Sequence, residues 1–227
     1  MDIFNQSVKG VVMGRLISIL LILLFCPGRG YAVEKRDLSY VVKIGMVRIG
    51  RAKWHVFGKT RLDGIECEHL QVEVRTPQLK DKEDIYLDEK TLYPYKIFRQ
   101  LTYLGMSEEI IEDYNYADKE VRITKNGKQI AALKQSLPID NVFAFIYRLW
   151  QQGQRPQTGM KLQLPKQLLE IIVGKDRVIN TRIGRFSSVM VSSRPKKVIV
   201  FFRKEDMLPV LIKGAIPILP YNLTVEK

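Results

Sequence analysis

The chain has 227 residues, 37 Lys or Arg against 24 Asp or Glu, and a formal charge of +13. Two cysteines exclude a disulfide-built fold, and two histidines leave few side chains that titrate near neutrality. A balance this basic selects anionic partners, and the compartment decides which.

Lys9 and Arg15 precede an uncharged run from Leu16 to Phe25, and Pro27, Gly28 and Gly30 lead to Ala32. This is the charged, apolar and small-residue order of a secretory signal peptide, with cleavage expected after Ala32. The run falls short of the ~20 residues a spanning helix needs. Phe25 stands where a lipobox needs a small residue before Cys26. The expected organisation is therefore a signal peptide over 1–32 and one β-rich domain over 33–227, periplasmic or secreted, touching membranes only peripherally. There the anionic partners are lipid head groups, lipopolysaccharide or acidic glycans, not nucleic acid. Cys67 remains alone in an alternating strand, where a cysteine is a small buried hydrophobe.

From Leu38 to Ile44 the chain alternates up to Gly45, and a second piece through Val47 and Ile49 reaches Gly50. Ala52 to Phe57 reads as the returning strand, ended by Gly58. In Ile65 to Val74, Glu66, Glu68, Leu70, Val72 and Val74 share one face, while Ile65, Cys67, His69, Gln71 and Glu73 share the other; Thr76-Pro77 ends the strand. Lys80 to Glu83 reads as a charged turn before Ile85-Tyr86-Leu87. Asp88 to Thr91 is a polar turn, and Tyr93-Pro94 opens a strand reaching Tyr103. Glu108 to Tyr116 reads as a strand. Val121 to Thr124 and Gln129 to Leu133 flank Asn126-Gly127, the strongest short hairpin signal.

Leu137 to Gly159 breaks this pattern. Ile139, Val142, Phe143, Ile146, Leu149 and Trp150 recur at helical spacing, leaving Ala144, Arg148, Gln151 and Gln152 for the back. Asp140 is the expected N-cap, and Gly153 with Pro156 the stop. Burying five or six of these side chains is worth on the order of 10 kcal/mol before entropy. Strands resume over Met160–Leu164, Leu168–Val173, Val178–Thr181, Arg185–Ser192, Val198–Arg203, Pro209–Ile212 and Ile216–Val225. Pro217 and Pro220 mark the last as an edge. With no βαβ alternation, the fold class is mainly β: an antiparallel, strongly curved sheet or incomplete β-barrel wrapped around one central helix at about 139–152.

Chemistry-bearing residues are sparse. His55 and His69 lie in strands without a Ser or Cys nucleophile in a recognisable setting, and Gly184-Arg185-Phe186-Ser187 is no nucleophile elbow. Cys67 and His69 share a strand face, but only His55 is left to extend the set towards a metal site. Glu66 and Glu68 are the close acidic pair of interest; Glu108-Glu109 and Glu112-Asp113 read as surface charge. No phosphate-binding Gly-rich loop occurs. The expectation is no catalytic residue, no metal and no cofactor. Aromatic residues recur through strands and helix alike, as in a core or an apolar cleft between sheet and helix. Phe143, Ile146, Leu149 and Trp150 are the candidate cavity wall.

Leu38-Ser39-Tyr40-Val41-Val42-Lys43-Ile44-Gly45 with Ile49-Gly50 and Ala52, then Asp88…Leu92-Tyr93-Pro94, Asp140, Ile146-Tyr147-Arg148-Leu149, Gly159, Gly184-Arg185-Phe186 and Asp206-Met207-Leu208-Pro209 form an ordered series. In these motifs the chain resembles the bacterial envelope family called domain of unknown function 3108, over most of residues 38–220. The resemblance implies a secreted or periplasmic β-rich protein without an assigned activity. The general plan is also similar to lipoprotein carriers of the LolA and LolB kind, in which an incomplete barrel encloses an apolar cavity lidded by helices; this chain has one convincing helix instead of several. The function expected is non-enzymatic binding of an apolar or amphiphilic envelope component: lipid, lipoprotein or lipoglycan. The alternative is a structural or adaptor protein of envelope biogenesis that recognises a protein partner through its sheet. A hydrolase acting on envelope glycan or peptide comes third.

Overall fold

The structure, a computed structural model, describes residues 37–216 and 219–226. The expected signal peptide and its cleavage site lie outside them. Fifteen strands run β1 (Asp37–Ile44), β2 (Val47–Leu62), β3 (Ile65–Arg75), β4 (Leu79–Asp88), β5 (Pro94–Tyr103), β6 (Met106–Asn115), β7 (Glu120–Lys125) and β8 (Lys128–Lys134). Helix α1 (Val142–Gln152) follows, then β9 (Lys161–Leu164), β10 (Gln167–Val173), β11 (Arg177–Thr181), β12 (Gly184–Arg194), β13 (Val198–Arg203), β14 (Pro209–Ile216) and β15 (Leu219–Val225). The strands form one antiparallel sheet, ordered β8-β7-β6-β5-β4-β3-β2-β1-β15-β14-β13-β12-β10-β9, with β11 beside β12.

The two halves of the sequence meet where β15 pairs with β1, Tyr40 opposite Val225 and Lys43 opposite Asn222. β15 is thus interior to the sheet, not the expected edge. Its pairing to β1 begins at Asn222, past Pro220, so the proline takes no donor from that ladder. The actual ends are β8 and β9, and the segment between β8 and α1 joins them. Gln135 donates its backbone N–H to Lys119 O and its side-chain amide to Pro165 O. Ile139 bridges Gln163, and Asp140 N–H donates to Gln163 O at 2.7 Å. An open ladder closed by a connector is an incomplete barrel.

Helix α1 begins at Val142, three residues later than its periodicity predicts, because Ile139 is held in that strand bridge. The N-cap is Asn141, whose side chain accepts from Phe143 N–H at 2.7 Å and Ala144 N–H at 3.3 Å. Asp140, the expected cap, is buried and instead binds Arg148 Nη2 at 2.5 Å. Arg148 also donates to Leu92 O and lies 3.9 Å from the Tyr93 ring centre, so the supposed back of the helix is packed. Ala144 is fully buried as well. Gly153 ends the helix in a left-handed conformation, φ 58°, as expected.

Two further departures matter for the site. Lys80 to Glu83 is not a turn but part of the first half of β4, where Leu79, Glu83, Ile85 and Leu87 are buried and Asp81 shares their face. Gly58 does not end a strand; it bulges β2, which runs on to Leu62.

Candidate ligand cavity at one rim of the barrel

Because successive strands are antiparallel, their turns gather at two rims. Turns 45–46, 76–78, 104–105, 126–127, 165–166 and 195–197 share one rim; 63–64, 89–93, 116–119 and 204–208 share the other. Helix α1 engages the second rim, through Arg148 on Leu92 and through Tyr147, whose hydroxyl donates to Glu68 Oε1 at 2.6 Å. The first rim holds a cavity of about 510 Å³. Its walls come from six strands and one turn: Ile44 from β1, Arg48 and Ile49 from β2, Thr76 to Gln78 from the β3–β4 turn, Leu79 from β4, Arg99, Leu101 and Tyr103 from β5, Met106 and Glu108 from β6, and Tyr221 from β15.

Local sequence explains why this wall stands where it does. Alternation from Leu79 and from Ile97 through Tyr103 turns every second side chain inward. Gly50 lets β2 approach β3: a Cβ there would lie 2.0 Å from the Arg75 carbonyl oxygen. Gly214 leaves room for Tyr221, whose hydroxyl would sit 3.0 Å from a Cβ at that position. Burial pushes the Tyr221 hydroxyl up to about 12, so it enters the cavity as a neutral donor.

A charged group lies on the same inward face. Arg99 donates from Nε and Nη2 to Asp81 at 2.8 and 2.6 Å, and stands 3.4 Å from Glu83. Glu83 is buried, and burial, with smaller contributions from Asp81 and Glu112 and against Arg99 and a hydrogen bond with Asn141, pushes its carboxyl up to about 7. Tyr114 donates to Glu112, and Lys125 binds Glu108 at 2.7 Å. The cavity therefore has apolar walls, an arginine already committed to carboxylates, and a helix cap tied to the same network. Sequence reading placed Glu112 and Glu108 on the surface and Glu83 in a turn. The signal was the two-residue spacing Leu79, Asp81, Glu83, Ile85, Leu87, masked by the lysines between.

The four residues expected to wall a cavity are elsewhere. Ile146, Leu149 and Trp150 are buried core residues, and Phe143 is half-buried with its ring edge-on to Trp54, centroids 5.6 Å apart. None of them lines this cavity or a second, open groove on the outer face, where Arg177, Arg194, Lys196 and Lys213 surround Ser192 and Ser193. Cys67 is 1% exposed with its thiol pushed up by burial, an inert core residue. His69 Nε2 lies 3.0 Å from Asp84 Oδ1, and Gln71 also donates to Asp84. Against the cost of burial, the hydrogen bonds from His69, Gln71 and Lys82 hold the Asp84 carboxyl well below the usual range. The His69 ring is sandwiched between Phe57 and Tyr86, each 4.5 Å away, so its faces are occupied by neighbouring strands. His55 is paired with Asp37 at 3.0 Å. Among the described residues, no three His, Cys, Asp or Glu side chains are placed to hold a metal ion.

No family model matches the chain, and no curated protein matches it. Resemblance to domain of unknown function 3108 thus has no family match behind it. Among solved structures, the chain is similar to a beta-barrel-like protein of domain of unknown function DUF1849 from Brucella abortus. That similarity covers 84% of this chain and 95% of the other at 9% identity, with a TM-score of 0.45.

Proposed function

We propose that this chain is a non-enzymatic binding protein of the bacterial envelope, periplasmic or secreted, that takes the apolar part of a lipid or other amphiphile into the rim cavity. One observation carries the reading: a space of about 510 Å³, within the ~300–1,000 Å³ of small-molecule sites, walled by Ile44, Ile49, Leu79, Leu101 and Tyr103. Arg48, an exposed cation of the cavity lining whose ion pair with Glu226 is long, at 3.6 Å, suits an anionic head group. The carboxylates around Arg99 repel an anion from the floor, so the ligand enters tail first. The basic chain and the apolar run at 16–25 suit the same compartment.

Titration with the fluorescent fatty acid cis-parinaric acid tests this. Binding is expected to saturate at one molecule per chain, and Leu101→Trp, which fills the half-buried wall position, is expected to weaken it about tenfold or more. Undiminished binding in that variant places the ligand elsewhere. A second reading, an adaptor that adds a partner strand to the sheet, draws on β8, which ends the sheet and is largely exposed. Lys128 and Lys134 flank that edge and oppose indiscriminate pairing.

A further inference from the structure

The cavity rim differs from the helix rim in a way that cavity binding does not require. The five most exposed large apolar side chains among the described residues are Met46, Met106, Val47, Leu104 and Ile130, at 93%, 67%, 65%, 59% and 56%. Four of them sit in or directly beside the 45–46 and 104–105 turns of the cavity rim, and Ile130 is the third residue of β8, just past the 126–127 turn; beside the helix-rim turns the exposed apolar residues are Ile183 and Ile65, at 46% and 44%. Two turns of the same backbone shape make the contrast direct. Asp63-Gly64 at the helix rim has φ of 52° and 81°, and Leu104-Gly105 at the cavity rim has 52° and 82°. Asp or Asn suits the first of these positions, whereas a bulky apolar residue there is sterically strained; at the helix rim Leu92 and Met207 take the same conformation, φ 56° and 58°, but pack into or against the core. Burial within the chain does not explain Leu104, since its side chain is exposed.

Charge leans the same way. At the helix rim most cations are paired, Arg61 with Glu66, Lys59 with Glu89, Lys96 with Asp63 and Asp113, Arg203 with Asp206, and Lys204 with Asp176, while Lys90 and Lys119 are exposed without a carboxylate partner among the described residues; at the cavity rim Arg48 pairs with Glu226 and Lys125 with Glu108. At the cavity rim Lys80, Lys128, Lys166, Arg194, Lys196 and Lys197 are exposed, and none has a carboxylate partner among the described residues. Apolar tips inside a field of unpaired cations match the two layers of an anionic bilayer surface, acyl boundary and head group.

We infer that the cavity rim docks on an anionic lipid surface, with Met46, Val47, Leu104 and Met106 entering the head-group boundary and the surrounding lysines and arginines on the phosphates. Met106 belongs to both the docking surface and the cavity wall, so the cavity opens towards the bilayer. Docking stands on exposure and charge and does not need the cavity to be filled.

Hydrogen–deuterium exchange of the full chain, with vesicles of phosphatidylcholine alone or mixed with phosphatidylglycerol, tests it locally. Amides at 44–48 and 103–107 are expected to exchange several-fold more slowly with the mixed vesicles only, and to lose that protection in high salt. The double variant Met46→Ser, Leu104→Ser is expected to abolish it while exchange across β3 and α1 stays native, which shows that the fold is intact. Protection confined to residues 16–25, or at turn 63–64 instead, overturns the inference, because the chain then binds by another part. Protection of the two tips by raising protein concentration without vesicles also overturns it and makes the rim an interface between copies. Fatty-acid binding is measured separately, without vesicles, so the two readings fail independently.

Discussion

Glu83 shows how one inward carboxylate ties site to stability. Its carboxyl is raised to about 7 in the folded chain, from 4.5, so between those values the folded state keeps a proton that the unfolded state has lost. Its contribution is therefore greatest below about 4.5 and is lost as pH rises through 7. Asp81, Glu112, Arg99 and Tyr221 face the same network, and the Asn141 side chain reaches it from α1. Glu83→Gln is expected to flatten the fall in stability between pH 5 and pH 8, by roughly 2–3 kcal/mol, in denaturant melts at both values. An unchanged slope in the variant would mean that Glu83 is ionised throughout. Gly50 makes a steric prediction at the same scale. Gly50→Ala puts a methyl group 2.0 Å from the Arg75 carbonyl, so melts should show a loss of about 1–3 kcal/mol and fatty-acid affinity should fall as Arg48 and Ile49 move. Neither residue could be chosen from sequence: Gly50 reads as a turn or a bulge, and Glu83 as one charge of a charged turn.

Among elements, α1 decides whether the helix serves binding or packing. Its apolar stripe is set against Trp54 and the sheet, Tyr147 is anchored on Glu68, and Arg148 closes the other side with Asp140. Ile146→Val should cost about 1 kcal/mol in a thermal or denaturant melt and leave cis-parinaric acid affinity unchanged, since Ile146 is 1% exposed and remote from the cavity lining. A matching loss of affinity would return the binding site to the helix. The stripe itself was legible because Val142, Phe143, Ile146, Leu149 and Trp150 repeat at 3.6 residues. Strands were legible wherever alternation was apolar, as from Ile65 to Val74, and the Asn126-Gly127 hairpin sits at positive φ as its residues predict. Reading failed where a long-range partner set the outcome. Asn141 capped the helix because Asp140 was drawn to Arg148, and Pro220 was harmless because β1 pairs only beyond it.

At the scale of the molecule, the mainly antiparallel β class follows from spacing alone, whereas the cavity depends on strand ends far apart in sequence meeting at one rim. Tyr221 joins Ile44 and Leu101 there only because β15 lies beside β1. The helix, the most conspicuous apolar stretch of the domain, fills the barrel at the other rim, and the cavity that we propose binds the ligand is left where the turns carry Met, Val and Leu. This division of labour is the central claim. Native mass spectrometry with lipid extraction, on the wild type and on Leu101→Trp purified gently from the envelope of the native host, tests it most directly. The account predicts a lipid-sized adduct at one per chain on the wild type and a bare mass for the variant. A bare mass for the wild type, or an adduct equally retained by Leu101→Trp, would contradict it.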